Sequence, residues 1–565
     1  FKQKTAYEIY QCDWSSDVCS SDLEMVIGWP PLSFVILIPL LGALVCLGPW
    51  FARERDGAGR LCRAWSLFVS ALTLALLLAI AKGGVGAPDV LLSVTETREW
   101  IPSLGIYWSL TLDGLSLAFT LLTCVVSLAV IAWSSRPAKA GAGWYSLLLL
   151  GQSAVLGAFL ATDLVVFYCF YEVMLLPVLA AMALWGGPRR LQAALKFLLY
   201  TVVGSVLMFL AILFIGWKGL NTLAAHGAET LFAFDITTLS STHMLSSEQQ
   251  MWLGLAFLVA FAVKTPIVPM HGWLPETYRE APHGTAAFTA ALLGKVGVYG
   301  IIRFAMPLFP DFMHAAGPYL AALGAIGVVY GAMVAMVQRE IRSLLAYSSI
   351  SHLGFCVLGI AAATEMAVTG AVFQAVSHGL VTAALFLVFG SIMDREGASD
   401  FESFGGLAAK IPVSAFFLMV FSIAAVALPL TSSFVGEFLV ILGAWAEFPQ
   451  WTALALVGVV LGAVYTLTAY LKTMFGPARE RSAVSGSDLK GSDVFVLGAL
   501  AALVLLLGIF PQGALSSISP AVQVQLSQVD ARGDEGPKAQ FRAPVQTQEL
   551  VQPASFAGSE SEAGR

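Results

Sequence analysis

Six ionisable side chains lie where a charge is hardest to keep: Glu172, Lys264, Lys295, His352, His378 and Glu437 each sit inside a long apolar run of this 565-residue sequence. A charge at the centre of a membrane helix costs roughly 2.5–3.5 kcal/mol on insertion scales, so such groups face a bundle interior and have partners or a function. Carboxylates, amines and imidazoles share one chemistry at that depth: they take up and release protons. Metal chemistry has less support, because Cys46, Cys62, Cys124, Cys169 and Cys356 are scattered, with no CxxC pair and no cysteine–histidine cluster. No GxGxxG or Walker-type loop follows a strand, so nucleotide binding is equally unsupported. The expectation is a chain with no cofactor or metal of its own and no nucleic acid among its partners.

The elements that must hold these groups are membrane helices. With 58% hydrophobic and 12% charged residues and a mean hydropathy of +0.80, the chain has too little polar surface to dissolve and too much apolar surface for one core. Stretches of about 20 apolar residues recur 14 times, at residues 30–50, 62–81, 111–134, 143–161, 164–185, 196–217, 251–271, 284–305, 318–337, 343–363, 367–391, 411–440, 452–474 and 494–511. Their length fits helices, since a barrel would alternate over about ten residues. Loops after odd-numbered spans carry 18 lysines and arginines against 3 after even-numbered ones. Basic loops stay in the cytoplasm, so both termini are expected outside.

Two of the spans cannot be continuous. Pro266 and Pro269 follow Lys264 within span 7, with Pro275 just beyond it, and each removes a backbone donor and collides with the carbonyl four residues earlier. Span 12 reads "ALPLTSSFVGEFL", with Pro429, then Thr431, Ser432 and Ser433, then Glu437. Broken helices with polar groups at the break line wet cavities and ion pathways. Two interrupted spans, five apart, imply two five-helix repeats, spans 4–8 and 9–13. An odd number of crossings per repeat makes them inverted.

The stretches "FYCFYEVMLLPVLAAMALWGG", "VKTPIVPMHGWLPETYREAPHGTAAFTAALLGKVGVYGIIRF", "QREIRSLLAYSSISHLGFCVLGI", "FQAVSHGLVTAALFLVFG" and "SSFVGEFLVILGAW" together resemble the proton-translocating, antiporter-like membrane subunits of NADH:quinone oxidoreductase, respiratory complex I. The resemblance covers residues 25 to about 520. Glu437 marks one subunit type, its L- and N-type siblings usually carrying lysine at the matching place. At "LPLTSS" the sequence departs from the family's common glycine-containing LPGT.

The resemblance implies an all-α polytopic fold with broken helices 7 and 12. It also implies a bacterial plasma-membrane location and a place among the other membrane subunits, especially the L- and N-type ones. NADH, FMN, iron–sulfur clusters and quinone would belong to the whole complex. By resemblance Glu172 pairs with Lys264, Lys295 connects the halves, His352 and His378 belong to the polar axis, and Glu437 is the terminal exchange site. Separating Glu172 from Lys264 would favour the neutral amine, because burial disfavours charge, and so would eject a proton. Read without the resemblance, the Glu172 and Lys264 pair is also compatible with a structural ion pair, and His352 with a hydrogen-bonded interior histidine. Asp113, in "TLDGLS", is placed to cap a helix. The alternative function is a subunit of a Na+(K+)/H+ antiporter or of a membrane-bound hydrogenase.

The expected organisation is three helices over residues 25–142, a first half-channel over 143–310, a second over 311–475, a C-terminal membrane helix over 476–519 and a disordered tail over 520–565. Residues 1–24 fit none of this. Their "FKQKTAYEI" and "DWSSDVCSSDL" resemble translated sequencing adapters, and they are expected to lie outside the fold.

Overall fold

The computed structural model describes residues 31–51, 58–84, 93–133, 141–225, 233–241, 244–477, 488–489 and 491–530. Residues 1–24 and 531–565 therefore lie outside the described residues. The chain opens with α1 (Pro31–Phe51) and α2 (Ala58–Gly84), then β1 (Val94–Ile101), β2 (Ile106–Leu112) and α3 (Gly114–Ala132). Next come α4 (Gly141–Leu160), α5 (Leu164–Val173), α6 (Leu175–Trp185), α7 (Arg190–Ala225) and the short α8 (Ile236–Ser241). They are followed by α9 (Ser247–Lys264), α10 (Leu274–Glu280), α11 (His283–Gly300) and α12 (Met306–Leu308). The second half holds α13 (Pro310–Met336), α14 (Ile341–Ala362), α15 (Glu365–Glu396), α16 (Pro412–Ala425), α17 (Ser432–Trp445) and α18 (Pro449–Met474). Helices α19 (Gly491–Ile509) and α20 (Gln512–Asp530) complete it.

Among the described residues, 12 segments are long and apolar enough to cross a membrane. They coincide with every expected span except 7 and 12, and those two are present as broken pairs. In span 7, α9 stops at Lys264, Pro266 and Pro269 occupy the gap, and Pro275 sits in the first turn of α10, where a missing N–H costs nothing. In span 12 the gap between α16 and α17 contains Pro429. Span 5 is also interrupted, at Met174 between α5 and α6. Pro177 cannot bond the Val173 carbonyl, and the loosened turn falls directly after Glu172.

The two five-span sets pack alike. In each, the first crossing lies on the second (α4 on α5 and α6, α13 on α14), and the broken fourth lies on the third (α9 on α7, α17 on α15). Glycines set how closely they approach. A Cβ on Gly297 would fall 2.2 Å from Thr265 Oγ1 and 2.7 Å from the Phe261 carbonyl, so α11 is pressed against the break beside Lys264.

Two features depart from expectation. The first is the antiparallel hairpin of β1 and β2, which pairs Val94 with Leu112 and Thr97 with Ser109. It supplies Glu96, whose carboxylate accepts the Leu32 and Ser33 amides at 3.0 and 2.9 Å and so caps α1 from 64 residues away. The second corrects the tail boundary, because residues 520–530 continue α20. Ile518, Ala521 and Val522 are buried at helical spacing, and α20 lies on α3 and α15. Glutamines and serines dilute that periodicity in the sequence, while Gly114 makes room for it: a Cβ there would fall 1.7 Å from the Ser517 carbonyl.

The departure from LPGT has a physical correlate. Leu430 occupies the glycine position with φ +77°, in the left-handed region where a Cβ meets the following carbonyl. Its side chain is 63% exposed, so little packing compensates. Leu430→Gly is expected to stabilise the folded chain by up to about 1 kcal/mol, the relief being partly offset by the freer unfolded backbone. Thermal unfolding of the detergent-solubilised protein tests this, and a lower midpoint for the variant would contradict it.

Candidate proton-transfer site

Four of the six expected residues form one line through the interior. Lys295, on α11, donates from Nζ to the Ala290 carbonyl at 2.6 Å and lies 2.9 Å from His378 Nδ1, on α15. The His378 ring faces that of His352, on α14, with centroids 5.3 Å apart and planes at 34°. His352 Nδ1 lies 2.9 Å from Glu437 Oε1, on α17. All four are buried. Lysine and imidazole donate or accept according to protonation and glutamate does the same through its oxygens, so each neighbour can pass a proton to the next after small rotations.

Each group is placed by local backbone. Lys295 belongs to a helix buried from Gly284 through Gly300, and is itself fully buried, so its ammonium meets only protein. Glu437 lies on the second turn of α17, close above the span 12 break and the buried hydroxyls of Ser432 and Ser433. The sequence placed these groups at membrane depth, and the fold turns them towards one another.

Other polar side chains join the line, and the sequence reading missed them. Gln374 on α15 donates from Nε2 to Glu437 Oε1 at 2.9 Å. Tyr465 on α18 lies 3.4 Å from His352 Nε2, and its hydroxyl is 2.8 Å from Ser348 Oγ. Two small cavities flank His352, each of about 10 Å³, one bounded by Ser348, Gln374, His378, Thr382 and Ser433 and the other by Ser351, Glu437, Gly458, Gly462 and Tyr465. Gln374 carries no charge and stands in an apolar run, so a search for buried charges passes over it. Its place four residues before His378, on the same helix face, was the available signal.

Glu172 and Lys264 are not brought into contact. Lys264 is fully buried, with Nζ 4.7 Å from the Tyr171 ring centroid and 5.9 Å from that of Phe197. Neither Lys264 Nζ nor the buried Glu172 Oε1 has a hydrogen-bond partner among the described residues. No hydrogen bond or ion pair joins the two in this structure. Aromatic rings stand around the ammonium instead, and a ring face attracts a cation without fixing its direction. The Lys264 side chain points to α5 and α7, away from the line that begins at Lys295.

Arg303 is a further buried cation that the sequence reading left aside. It lies in a π-turn, Ile301–Ala305, just before Pro307, whose missing N–H frees the Arg303 carbonyl. Arg303 Nη2 donates to both oxygens of Asp113 at 2.6 Å, and Nε donates to the Tyr299 hydroxyl at 3.0 Å. Asp113 also caps α3 in a reciprocal capping box with Ser116, as expected from its position. Among the described residues no three histidine, cysteine, aspartate or glutamate side chains gather where a metal ion could be held.

The family described as NADH:quinone oxidoreductase/Mrp antiporter, TM, matches residues 161–462. The NADH-quinone oxidoreductase subunit M of Pseudomonas aeruginosa is 36% identical over 501 residues, covering 86% of this chain and 95% of that protein. A chain of respiratory complex I from Thermus thermophilus superposes with a TM-score of 0.77 at 33% identity, covering 88% of this chain and 99% of that one. A chain of the Mrp complex from a Dietzia species has a TM-score of 0.73 at 21% identity, a likeness of fold alone.

Proposed function

From the premise that this chain belongs to the NADH:quinone oxidoreductase/Mrp antiporter membrane family, we propose that it works as the M-type, proton-translocating membrane subunit of a bacterial NADH:quinone oxidoreductase. It is a multi-pass membrane protein whose relatives belong to that enzyme. Electron transfer from NADH to quinone takes place in other subunits, and this one converts the energy released into proton movement. The observation that carries the reading is the buried line from Lys295 through His378 and His352 to Glu437.

In the proposed cycle Glu172 and Lys264 form the driving element. When Glu172 moves towards Lys264 the ammonium is favoured, and when it moves away burial favours the amine, so the proton must leave. Lys295 takes up charge next to His378, the imidazoles relay it, and Glu437 exchanges it with the far side. The breaks at Pro266, Pro269 and Pro429 free backbone groups and space for water near the two ends of this path. The basic loops support a cytoplasmic placement for the turns after odd-numbered spans and termini outside. The exposed apolar faces of the outer helices suit lipid and sibling L- and N-type subunits.

Isolation of the complex through a tag on this chain tests the reading. Flavin and iron–sulfur subunits are expected to co-purify with L- and N-type membrane subunits, and vesicles holding the complex are expected to pump protons when NADH and quinone are supplied. Co-purification with hydrogenase or cation-antiporter subunits would overturn it in favour of the alternative.

A further inference from the structure

The contact between α15 and α17 is closer than side chains usually allow. A Cβ on Gly436 would fall 2.6 Å from Gln374 Cα and 2.7 Å from its nitrogen. A Cβ on Gly443 would fall 2.4 Å from the Ala367 nitrogen, and one on Gly370 would fall 2.7 Å from the Val440 nitrogen. Backbone therefore meets backbone at the residue beside Glu437, and Gln374 is fixed opposite that carboxylate. Its side chain is fully buried.

That amide has two different faces. Nε2 donates to Glu437 Oε1, the same oxygen that faces His352 Nδ1. The carbonyl Oε1 is buried with no hydrogen-bond partner among the described residues, and Gln374 lines the small cavity beside His352 and His378. An unpaired buried carbonyl is costly, and a polar cavity of this size is at the threshold for holding one water.

We propose that Gln374 is a positioning residue for the proton step between His352 and Glu437, holding the carboxylate by its N–H and the carboxylic acid by its carbonyl. In the transfer the His352 Nδ1–H bond breaks and an O–H bond forms on Glu437, leaving the imidazole neutral and the carboxyl uncharged. The new O–H is a donor, which the amide N–H cannot accept. A half turn of the amide presents Oε1 to it instead. Gln374 thus satisfies Glu437 in both protonation states without any helix moving, and in the first state its carbonyl holds a water in the cavity beside the two histidines. The inference rests on the proposed role of Glu437 as the exchange site.

The test uses the intact complex in vesicles. Gln374→Met keeps the length and approximate volume of the side chain and removes both hydrogen bonds. It is expected to assemble, to lower proton translocation through this subunit on the order of tenfold, as loss of a hydrogen bond to a charged group does, which is read as a reduced ratio of protons pumped to electrons transferred, and to displace the infrared carboxyl band of Glu437 in reduced-minus-oxidised spectra. That band is identified by its disappearance in Glu437→Gln. If Gln374→Met does not assemble, Gln374→Leu, apolar and close in volume, replaces it with the same expected loss, since it offers neither donor nor acceptor. Wild-type pumping with an unmoved band overturns the inference. If Glu437→Gln itself pumps like the wild type, the role of Glu437 fails first, so the two failures are told apart.

Discussion

Glu437→Gln is expected to leave the complex assembled and to stop proton translocation through this subunit. The amide matches the carboxyl in size and fills the same buried site, so packing against α15 is retained. What is lost is the titrating oxygen that faces both His352 Nδ1 at 2.9 Å and Gln374 Nε2 at 2.9 Å. General acid–base steps typically contribute about 10²–10⁴-fold, so a residue on the buried line of titratable groups through α11, α14, α15 and α17 should account for most of the flux through this subunit. Glu437→Asp keeps a titrating group one methylene further from His352 and is expected to retain part of it. The ratio of protons pumped to electrons transferred, measured in reconstituted vesicles, decides the matter. An unchanged ratio for the glutamine variant would remove Glu437 from the path, whereas an unchanged electron-transfer rate alone would not, because several pump modules act in parallel in such a complex.

The second large effect concerns Lys264, where function and stability should move in opposite directions. Its ammonium is fully buried, with aromatic rings nearby and no hydrogen-bond partner among the described residues. A group kept for stability would be paired, and replacing an unsatisfied buried charge by an apolar side chain of similar length is often neutral or stabilising by about 1–4 kcal/mol. Lys264→Met is therefore expected to assemble and to unfold at the same temperature or higher, while proton translocation through this subunit falls by roughly tenfold or more. Thermal unfolding and proton pumping on the same preparation separate the readings: lost assembly or a lower melting temperature, with pumping per assembled complex unchanged, would make Lys264 structural. Glu172→Gln should reproduce the loss, because in the proposed cycle the charge of Glu172 decides whether Lys264 keeps its proton.

The family departure at Leu430 shows how far local sequence can be read. Prolines act on their own backbone and on the carbonyl four residues before, so the gaps at Pro266, Pro269 and Pro429 were legible without any knowledge of neighbours. The same rule would have given the interruption at Met174 from Pro177 and the π-turn before Pro307, each of which a single proline causes within an otherwise continuous apolar span. The hairpin from Val94 to Leu112 was hidden for another reason. It lies between membrane spans, where a search by span length sees only a loop.

By itself the sequence determined the number of crossings, the two broken spans and the inventory of ionisable groups at membrane depth, because each depends on hydropathy or backbone chemistry within a few residues. Tertiary structure alone decided which of these groups meet. Lys295 finds His378 across 83 positions, His352 finds Glu437 across 85, and Arg303 finds Asp113 across 190, while Glu172 and Lys264 are left apart. Nothing within a single helix encodes such meetings. They follow from how closely and at what rotation two helices pack, and that is set at a few glycines, Gly297 against Thr265 and Gly436 against Gln374, where the absence of one carbon lets backbones touch and turns the polar side chains beside them towards each other.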